Sequence, residues 1–189
     1  MKEFEIAKSH VMKVYDNTDY VEKNKEVNDC FVNILSSYEY DNESYDINKA
    51  RDYVEDLNYK MYLSDLDTKI YIFYLEGHPV TFAIYNRIEH TDDFMLELIY
   101  THSDYTTLGF ATYMMRFAAK DLKERYNAKN IHTVVAKKNN PSLYLHKSFS
   151  KVDGVKTASE DCGSKYKFRF DISELKTNKS KSEESELII

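Results

Sequence analysis

The run Leu98-Ile99-Tyr100-Thr101-His102-Ser103-Asp104-Tyr105-Thr106-Thr107-Leu108-Gly109-Phe110-Ala111 sets small residues where a polar loop turns into an apolar helical pattern. Gly109 and Ala111 fall in the expected first turn of that helix, where short side chains let a ligand approach the backbone. The first N–H groups of a helix lack an intrahelical partner and lie at the positive end of its dipole. Such a start can bind a pyrophosphate without any charged side chain. A lone Gly-x-Ala before a helix is common at ordinary strand–helix joints and gains meaning only from its surroundings. Further on, Asn139-Asn140-Pro141-Ser142-Leu143-Tyr144-Leu145-His146-Lys147-Ser148-Phe149 carries a phenol and an imidazole, Tyr144 and His146, both able to move protons. Glu97 puts a carboxylate mid-strand between apolar Leu96 and Leu98. It can serve as a base, or it can simply face solvent or pair with a Lys or Arg.

The elements that must position these residues follow from periodicity. Residues 3–15 can open the chain with a strand. Residues 22–37 read as a helix with Val27, Phe31 and Ile34 on one face, and 47–57 as a second one. Residues 69–75 and 80–88 are β-branched and aromatic, and Glu76-Gly77-His78-Pro79 joins them as a hairpin. Residues 94–101 form a third strand, which completes an antiparallel meander. The longest helical signal, 108–125, repeats Leu108, Ala111, Met115, Ala118 and Leu122 at spacings of three and four. Residues 130–136 form a strand. A short helix at about 141–147 follows, with Asn140 placed to cap it and Pro141 suited to its first position. Residues 149–156 and 165–172 read as a closing strand pair. The order β-α-α-β-β-β-α-β-α-β-β predicts an α+β fold, a mixed sheet flanked by helices with one strand–helix–strand crossover at 94–136. Residues 1–173 are expected to form one domain, and 174–189 a polar, disordered tail.

Composition excludes several classes of function. The net charge is −6, but residues 1–65 hold fifteen Asp and Glu against eight Lys and Arg, a net of −7. No basic stripe runs through the chain, so a grip on nucleic acid is not expected. The acidic third is compatible with a cationic substrate, and equally with an ordinary solvated face. Cys30 and Cys162 give neither zinc spacing nor a disulfide framework, so free thiols and no metal are expected. The N-terminus lacks an apolar signal core, and no stretch approaches the roughly 20 apolar residues of a membrane helix. A soluble cytoplasmic protein with no membrane partner is expected.

These residues together resemble the GNAT superfamily of N-acetyltransferases over about residues 1–172, most clearly over 69–156. In that family the fourth strand leads into the motif Q/R-x-x-G-x-G/A. Here Thr106-Thr107-Leu108-Gly109-Phe110-Ala111 stands in its place, with the Gly and Ala matching and Thr106 at the Gln/Arg position. The family's second motif leads from an Asn to L-Y-x-K-x-G-F. Leu143-Tyr144 and Phe149 match it, with Ser148 in place of Gly. In a rival register, Asn139-x-x-Ser142-x-x-Leu145-His146, His146 takes the place of the Tyr. Tyr144 is preferred, because Phe149 lies only three positions after His146, two short of the usual spacing.

The resemblance implies the fold of the family and acetyl-CoA as co-substrate. Its diphosphate is expected on the backbone of Thr106, Thr107, Leu108, Gly109, Phe110, Ala111 and Thr112, and its pantetheine against the fourth strand, with Asn139 and Asn140 as further contacts. Strand-end N–H groups of Ile99 or Thr101 would polarise the thioester carbonyl. Tyr144, or alternatively His146, would protonate the leaving thiolate. That direction is chemically reasonable for a phenol of pKa about 10 and a thiol of about 8.5, given hydrogen-bond reach. Thioester transfer needs no protein nucleophile, but an alkyl amine with a pKa of about 10.4 must lose a proton, and Glu97 is the candidate base. The acceptor would be a small-molecule amine or a protein amine, entering near the acidic helices at 22–57. The alternatives are a coenzyme-A-binding or regulatory protein on the same scaffold, and an unrelated α+β interaction module. A homodimer is compatible with the chain, although the sequence does not specify its oligomeric state.

Overall fold

The computed structural model describes residues 1–7, 9–16, 24–40, 43–44, 46–64 and 67–176. The expected tail from 177 onward therefore lies outside the described residues, as do positions 22–23 of the first expected helix. The elements in chain order are β1 (Lys2–Ala7), β2 (His10–Asp16), α1 (Asn24–Ser36), β3 (Glu39–Tyr40), β4 (Glu43–Ser44), α2 (Ile47–Ser64), β5 (Thr68–Leu75), β6 (His78–Arg87) and β7 (Phe94–Thr101), then a 3₁₀ turn (Ser103–Tyr105), α3 (Phe110–Tyr126), β8 (Asn130–Ala136), α4 (Asn140–Phe149), β9 (Lys156–Cys162) and β10 (Lys165–Asp171). Eight strands follow the hydrogen-bonded order β1-β2-β5-β6-β7-β8-β10-β9, and β3 with β4 makes a separate two-stranded ribbon. The β7–β8 pair is parallel; β1–β2, β2–β5, β8–β10 and β9–β10 are antiparallel. This is the mixed α+β architecture expected from the sequence.

The chain divides into two compact units. The first comprises Met1–Ile84 and Leu98–Phe110. Its core sets Val27, Phe31, Ile34 and Leu35 of α1 and Ala50 and Val54 of α2 with Tyr15, Ile70, Ile72, Phe82 and Ile84 from the strands. Phe31 stacks on Phe82 at 4.2 Å between centroids, in the range where aromatic pairs add to simple area burial. The β5–β6 hairpin turns on Glu76 and Gly77, both left-handed (φ 51° and 81°), the two-residue geometry that matches strand twist.

The second unit comprises Tyr85–Glu97 and the chain from Ala111. Met114, Met115, Ala118, Ala119 and Leu122 of α3 are all fully buried, as are Ile131 of β8, Phe149 of α4 and Phe170 of β10. The helix ends where Asn127 turns left-handed (φ 58°) and the Ala128 N–H reaches back to the Leu122 carbonyl at 3.2 Å.

Several boundaries differ from the sequence reading. The opening strand is a hairpin: Ala7 pairs with His10 and Lys2 with Val14, so the chain reverses around Ser9. Helix α2 runs past Leu57 to Ser64, an extension that continues the Ile47, Ala50, Val54, Leu57 spacing to Met61. The closing pair begins at Lys156, not 149, because α4 continues to Phe149 and a turn follows it. In that turn the Ser150 amide donates to His146 and the Val152 amide to Phe149. Strand β9, KTASEDC, is the last strand of its sheet with six of its seven side chains exposed, so no alternation marks it. Packing continues past 173: Leu175 is buried and its carbonyl accepts from Lys123 Nζ at 2.6 Å.

Candidate active site

The polar loop after β7 is held at its root by side chains distant in sequence. The Tyr38 hydroxyl donates to the Thr101 carbonyl, and the Ser103 amide donates to Ser37 Oγ at 2.8 Å. Thr101 Oγ1 lies 3.1 Å from Thr81 Oγ1, and the His102 amide donates to the Val80 carbonyl at 2.8 Å. Burial raises the Tyr38 phenol above its ordinary value, so it stays a donor. The sequence reading missed Ser37, Tyr38 and Thr81. Tyr38 and Ser37 are more than sixty positions from their partners, so no local spacing reveals them.

The loop then makes one tight 3₁₀ turn. His102 Nδ1 accepts from the Asp104 amide at 3.3 Å. Thr106 closes the turn with both its groups: its amide (3.3 Å) and its hydroxyl (2.9 Å) donate to the Ser103 carbonyl. This corrects the expectation that the Thr106 backbone holds the diphosphate, because its N–H closes the turn. Beyond it, Thr107 (φ 70°) and Gly109 (φ 86°) are left-handed at alternate positions. Such alternation turns consecutive amides toward one side and makes an anion-binding concavity.

Gly109 therefore precedes α3; it is not within the first helical turn. Its left-handed backbone cannot continue the helix N-terminally, and a Cβ added there would meet nothing within 4 Å. Leu108, expected on the buried stripe, lies in the loop and is 45% exposed. Phe110 anchors the helix start, buried at 5.4 Å from Phe73 and 6.0 Å from Tyr105. Among the described residues, no side chain caps the amides of Thr107, Leu108, Gly109, Phe110, Ala111 or Thr112. Positions 106–109 are exposed, and Ala111 and Thr112 half-buried.

On β7, Thr101 is buried with its hydroxyl and carbonyl both engaged, Ile99 is half-buried, and Glu97 is exposed. The parallel ladder with β8 covers only Phe94↔Ile131 and Met95↔His132.

Helix α4 is capped by Asn139, not Asn140: Asn139 Oδ1 accepts from the Ser142 amide at 3.1 Å, and Asn140 is already helical. The two candidate acids differ sharply. Tyr144 is 76% exposed, whereas His146 is 1% exposed and stacked on Phe168 and Phe170. His146 Nδ1 sits 2.6 Å from the Ser142 carbonyl and so carries the proton, while Nε2 is buried without a partner. Burial lowers the imidazole below its ordinary value.

A groove of about 340 Å³ between α1 and α2 sets Asp29 and Glu55 against Arg51 over Val32 and Val54. Its charges partly offset one another, so it does not by itself define an amine site. No group of three or more metal-ligating side chains occurs among the described residues, and no helix is long and apolar enough to cross a membrane.

Fold and loop together define a mixed α+β scaffold in which no described side chain caps the backbone amides of residues 107–112. The acetyltransferase (GNAT) family model matches residues 31–150, and the chain belongs to that family of acetyl-CoA-dependent N-acetyltransferases. The fold is shared with RimL, a ribosomal L7/L12 alpha-N-protein acetyltransferase solved with coenzyme A (TM-score 0.58, 10% identity, covering 91% of this chain and 99% of that one). It is also shared with a chimera of the spermidine N-acetyltransferase SpeG from Vibrio cholerae and hSSAT (TM-score 0.56, 12% identity, 86% and 95%). A third similar structure is PaiA N-acetyltransferase from Thermoplasma acidophilum with coenzyme A (TM-score 0.53, 14% identity, 83% and 98%). No curated protein matches the sequence.

Proposed function

We propose that this chain moves the acetyl group of acetyl-CoA to a primary amine by direct attack, with the amides of residues 107–112 holding the carrier's diphosphate. One observation carries the reading: Thr107 and Gly109 are left-handed at alternate positions immediately before α3, exposed, and not capped by any described side chain. An uncapped helix start of this kind favours an anion by both its free N–H groups and its dipole. Acetyl-CoA would supply an activated thioester carbonyl there.

The remaining roles fall to side chains of the chain itself. Glu97 is exposed on β7 and can accept the proton that an incoming ammonium must lose. Tyr144 is exposed and can donate its hydroxyl proton to a departing thiolate. His146 is the poorer acid: its one proton is held by the Ser142 carbonyl and its second nitrogen lies buried between aromatic rings. The Ile99 and Thr101 amides remain candidates for polarising the carbonyl, since the bonds of Thr101 engage its hydroxyl and carbonyl oxygens only. The acceptors named for similar structures, spermidine and the ribosomal protein L7/L12, support an amine acceptor without choosing between small and protein amines. The free cysteines Cys30 and Cys162 support a reducing, cytoplasmic setting for the enzyme.

The test is a thermal-shift titration with coenzyme A, followed by acetyl-CoA consumption against polyamines, aminoglycosides, amino acids and N-terminal peptides. Stabilisation together with turnover on one amine class supports the reading. Loss of the stabilisation step removes it. Stabilisation without turnover on any amine leaves a coenzyme-A-binding protein.

A further inference from the structure

We infer that Tyr38 is a positioning residue for acyl transfer: its hydroxyl fills the acceptor that Thr101 presents on the edge of β7 turned away from β6, and leaves the Thr101 N–H on that edge as the donor for the thioester oxygen. The inference rests on the reading of the site given above and deepens it.

Every residue of this arrangement lies in the first unit. Thr101 ends β7, and the next amide, that of His102, donates to the Val80 carbonyl of β6 at 2.8 Å. A trans peptide unit directs its N–H and its C=O to opposite sides, so the Thr101 carbonyl points away from β6. In an extended residue the N–H and C=O lie along one edge, so the Thr101 N–H points the same way. The partner of the carbonyl on that edge is a side chain, the Tyr38 hydroxyl, which donates to it. Every other backbone polar group of residues 102–103 is also bonded. The His102 carbonyl accepts from the Tyr105 amide at 2.9 Å, the Ser103 carbonyl from the Thr106 amide at 3.3 Å, and the Ser103 amide donates to Ser37 Oγ at 2.8 Å. The bonds of Thr101 itself use its carbonyl and its hydroxyl, the latter 3.1 Å from Thr81 Oγ1. Backbone groups are paired as a rule, so the Thr101 N–H stands out as the one left to a ligand.

Tyr38 is placed by the end of α1. The Ser37 and Tyr38 amides close its last turn on the Ile34 and Leu35 carbonyls, each at 3.3 Å, and Ile34 and Leu35 are buried. Ser37 Oγ donates to the Ile34 carbonyl at 2.6 Å. The Tyr38 ring meets that of Tyr100 edge-on at 6.1 Å, and the Tyr100 ring lies 5.6 Å from Phe82, which stacks on Phe31. Backbone and ring together fix the hydroxyl, and burial keeps it protonated.

The chemistry explains why this matters. As the amine nitrogen adds to the acyl carbon, the thioester oxygen gains negative charge. It loses that charge when the C–S bond breaks and its electron pair leaves with sulfur. Glu97 takes the proton of the amine and Tyr144 supplies one to the thiolate, as proposed above. A bare carbonyl on the same edge would repel the charged oxygen. With the Tyr38 proton on that carbonyl the repulsion is offset, and the neighbouring N–H is oriented before the charge develops.

The test is Tyr38→Phe, which removes the hydroxyl and keeps the ring. It is read by the NMR shift of the Thr101 carbonyl carbon, by coenzyme A affinity, and by steady-state kinetics on an amine that the wild type acetylates. The carbonyl resonance is expected to move and kcat to fall about tenfold, the scale of one lost hydrogen bond. The coenzyme A Kd and acetyl-CoA KM should stay within about twofold. Ser37→Ala instead frees the Ser103 amide at the head of the anion loop. It should show the opposite split, a Kd raised about fivefold and by more than kcat falls. A Tyr38→Phe kcat within about twofold of wild type would overturn the inference. So would losses of affinity and turnover that run in proportion in both variants and follow Tm, because Tyr38 would then be a structural support only. An unmoved carbonyl resonance would show that the bond is not made and would overturn it as well. If the resonance moves but the wild type neither binds coenzyme A nor acetylates any amine, the reading of the site falls and the positioning role falls with it.

Discussion

Two helices of this chain start in opposite ways, and the difference indicates where a ligand can bind. Helix α4 begins after a strand with Asn139 bonded to the Ser142 amide, the Leu143 amide bonded to the Asn139 carbonyl, and Pro141, which has no N–H, in the first turn. Its first amides are satisfied internally. Helix α3 also begins after a strand, but Thr106 turns its groups back to Ser103, Thr107 and Gly109 go left-handed, and no described side chain reaches the amides of residues 107–112. A helix start that closes on itself contributes stability, and one left open keeps its N–H groups available to a partner. The same reasoning separates the two proton donors on α4, since Tyr144 points to solvent and His146 into Phe168 and Phe170.

The largest expected effect breaks the open start. Gly109→Val places a β-branched residue at φ 86° and fills the free volume over the loop. Coenzyme A binding should fall by more than about a hundredfold, a loss of roughly 3 kcal/mol. Undiminished thermal stabilisation by coenzyme A in that variant would place the diphosphate elsewhere. Next comes Tyr144→Phe. It removes the donor but keeps an exposed ring, so turnover should drop by about ten- to a hundredfold at nearly constant coenzyme A affinity. Activity within about twofold of wild type would exclude Tyr144 as the acid and return attention to His146.

The residues that made the site legible are those whose partners are close in sequence. The Gly109–Ala111 spacing, the strand before it and the apolar stripe after it located the loop, and Asn139 with Pro141 located the second start. What could not be read depends on backbone dihedrals or on distant partners. The left-handed Thr107 places Gly109 before the helix, and Tyr38, Ser37 and Thr81 reach the loop root only through the fold. Strand β9 was misplaced because a strand exposed on both faces carries no alternation, and the burial of His146 was not legible because one His in a polar-looking segment does not reveal the Phe168–Phe170 ring pair against it.

The closed start makes a smaller prediction. If Asn139 only caps α4, Asn139→Ala should lower stability by about 1 kcal/mol, read in urea unfolding, and leave the coenzyme A Kd within about twofold. A rise in Kd well beyond that would add Asn139 to the pantetheine contacts and blur the contrast between the two helix starts.

The smallest effect concerns His146 and is a matter of sign. Burial holds its folded pKa below the ordinary 6.5, although the Ser142 carbonyl pulls the other way. Between the folded and unfolded values the unfolded chain therefore binds more protons. Stability from this group is complete above about pH 6.5 and is lost as pH falls through the folded value. Protonation would put a second N–H on Nε2, which is buried with no acceptor to receive it. Wild-type stability in urea should accordingly rise with pH from about pH 5 and level off above about pH 6.5, and His146→Leu should flatten the rising part of the profile. Parallel profiles for the two proteins would mean that His146 reaches water on the timescale of folding. Its Nε2 would then be available, and the preference for Tyr144 as the acid would lose its structural basis.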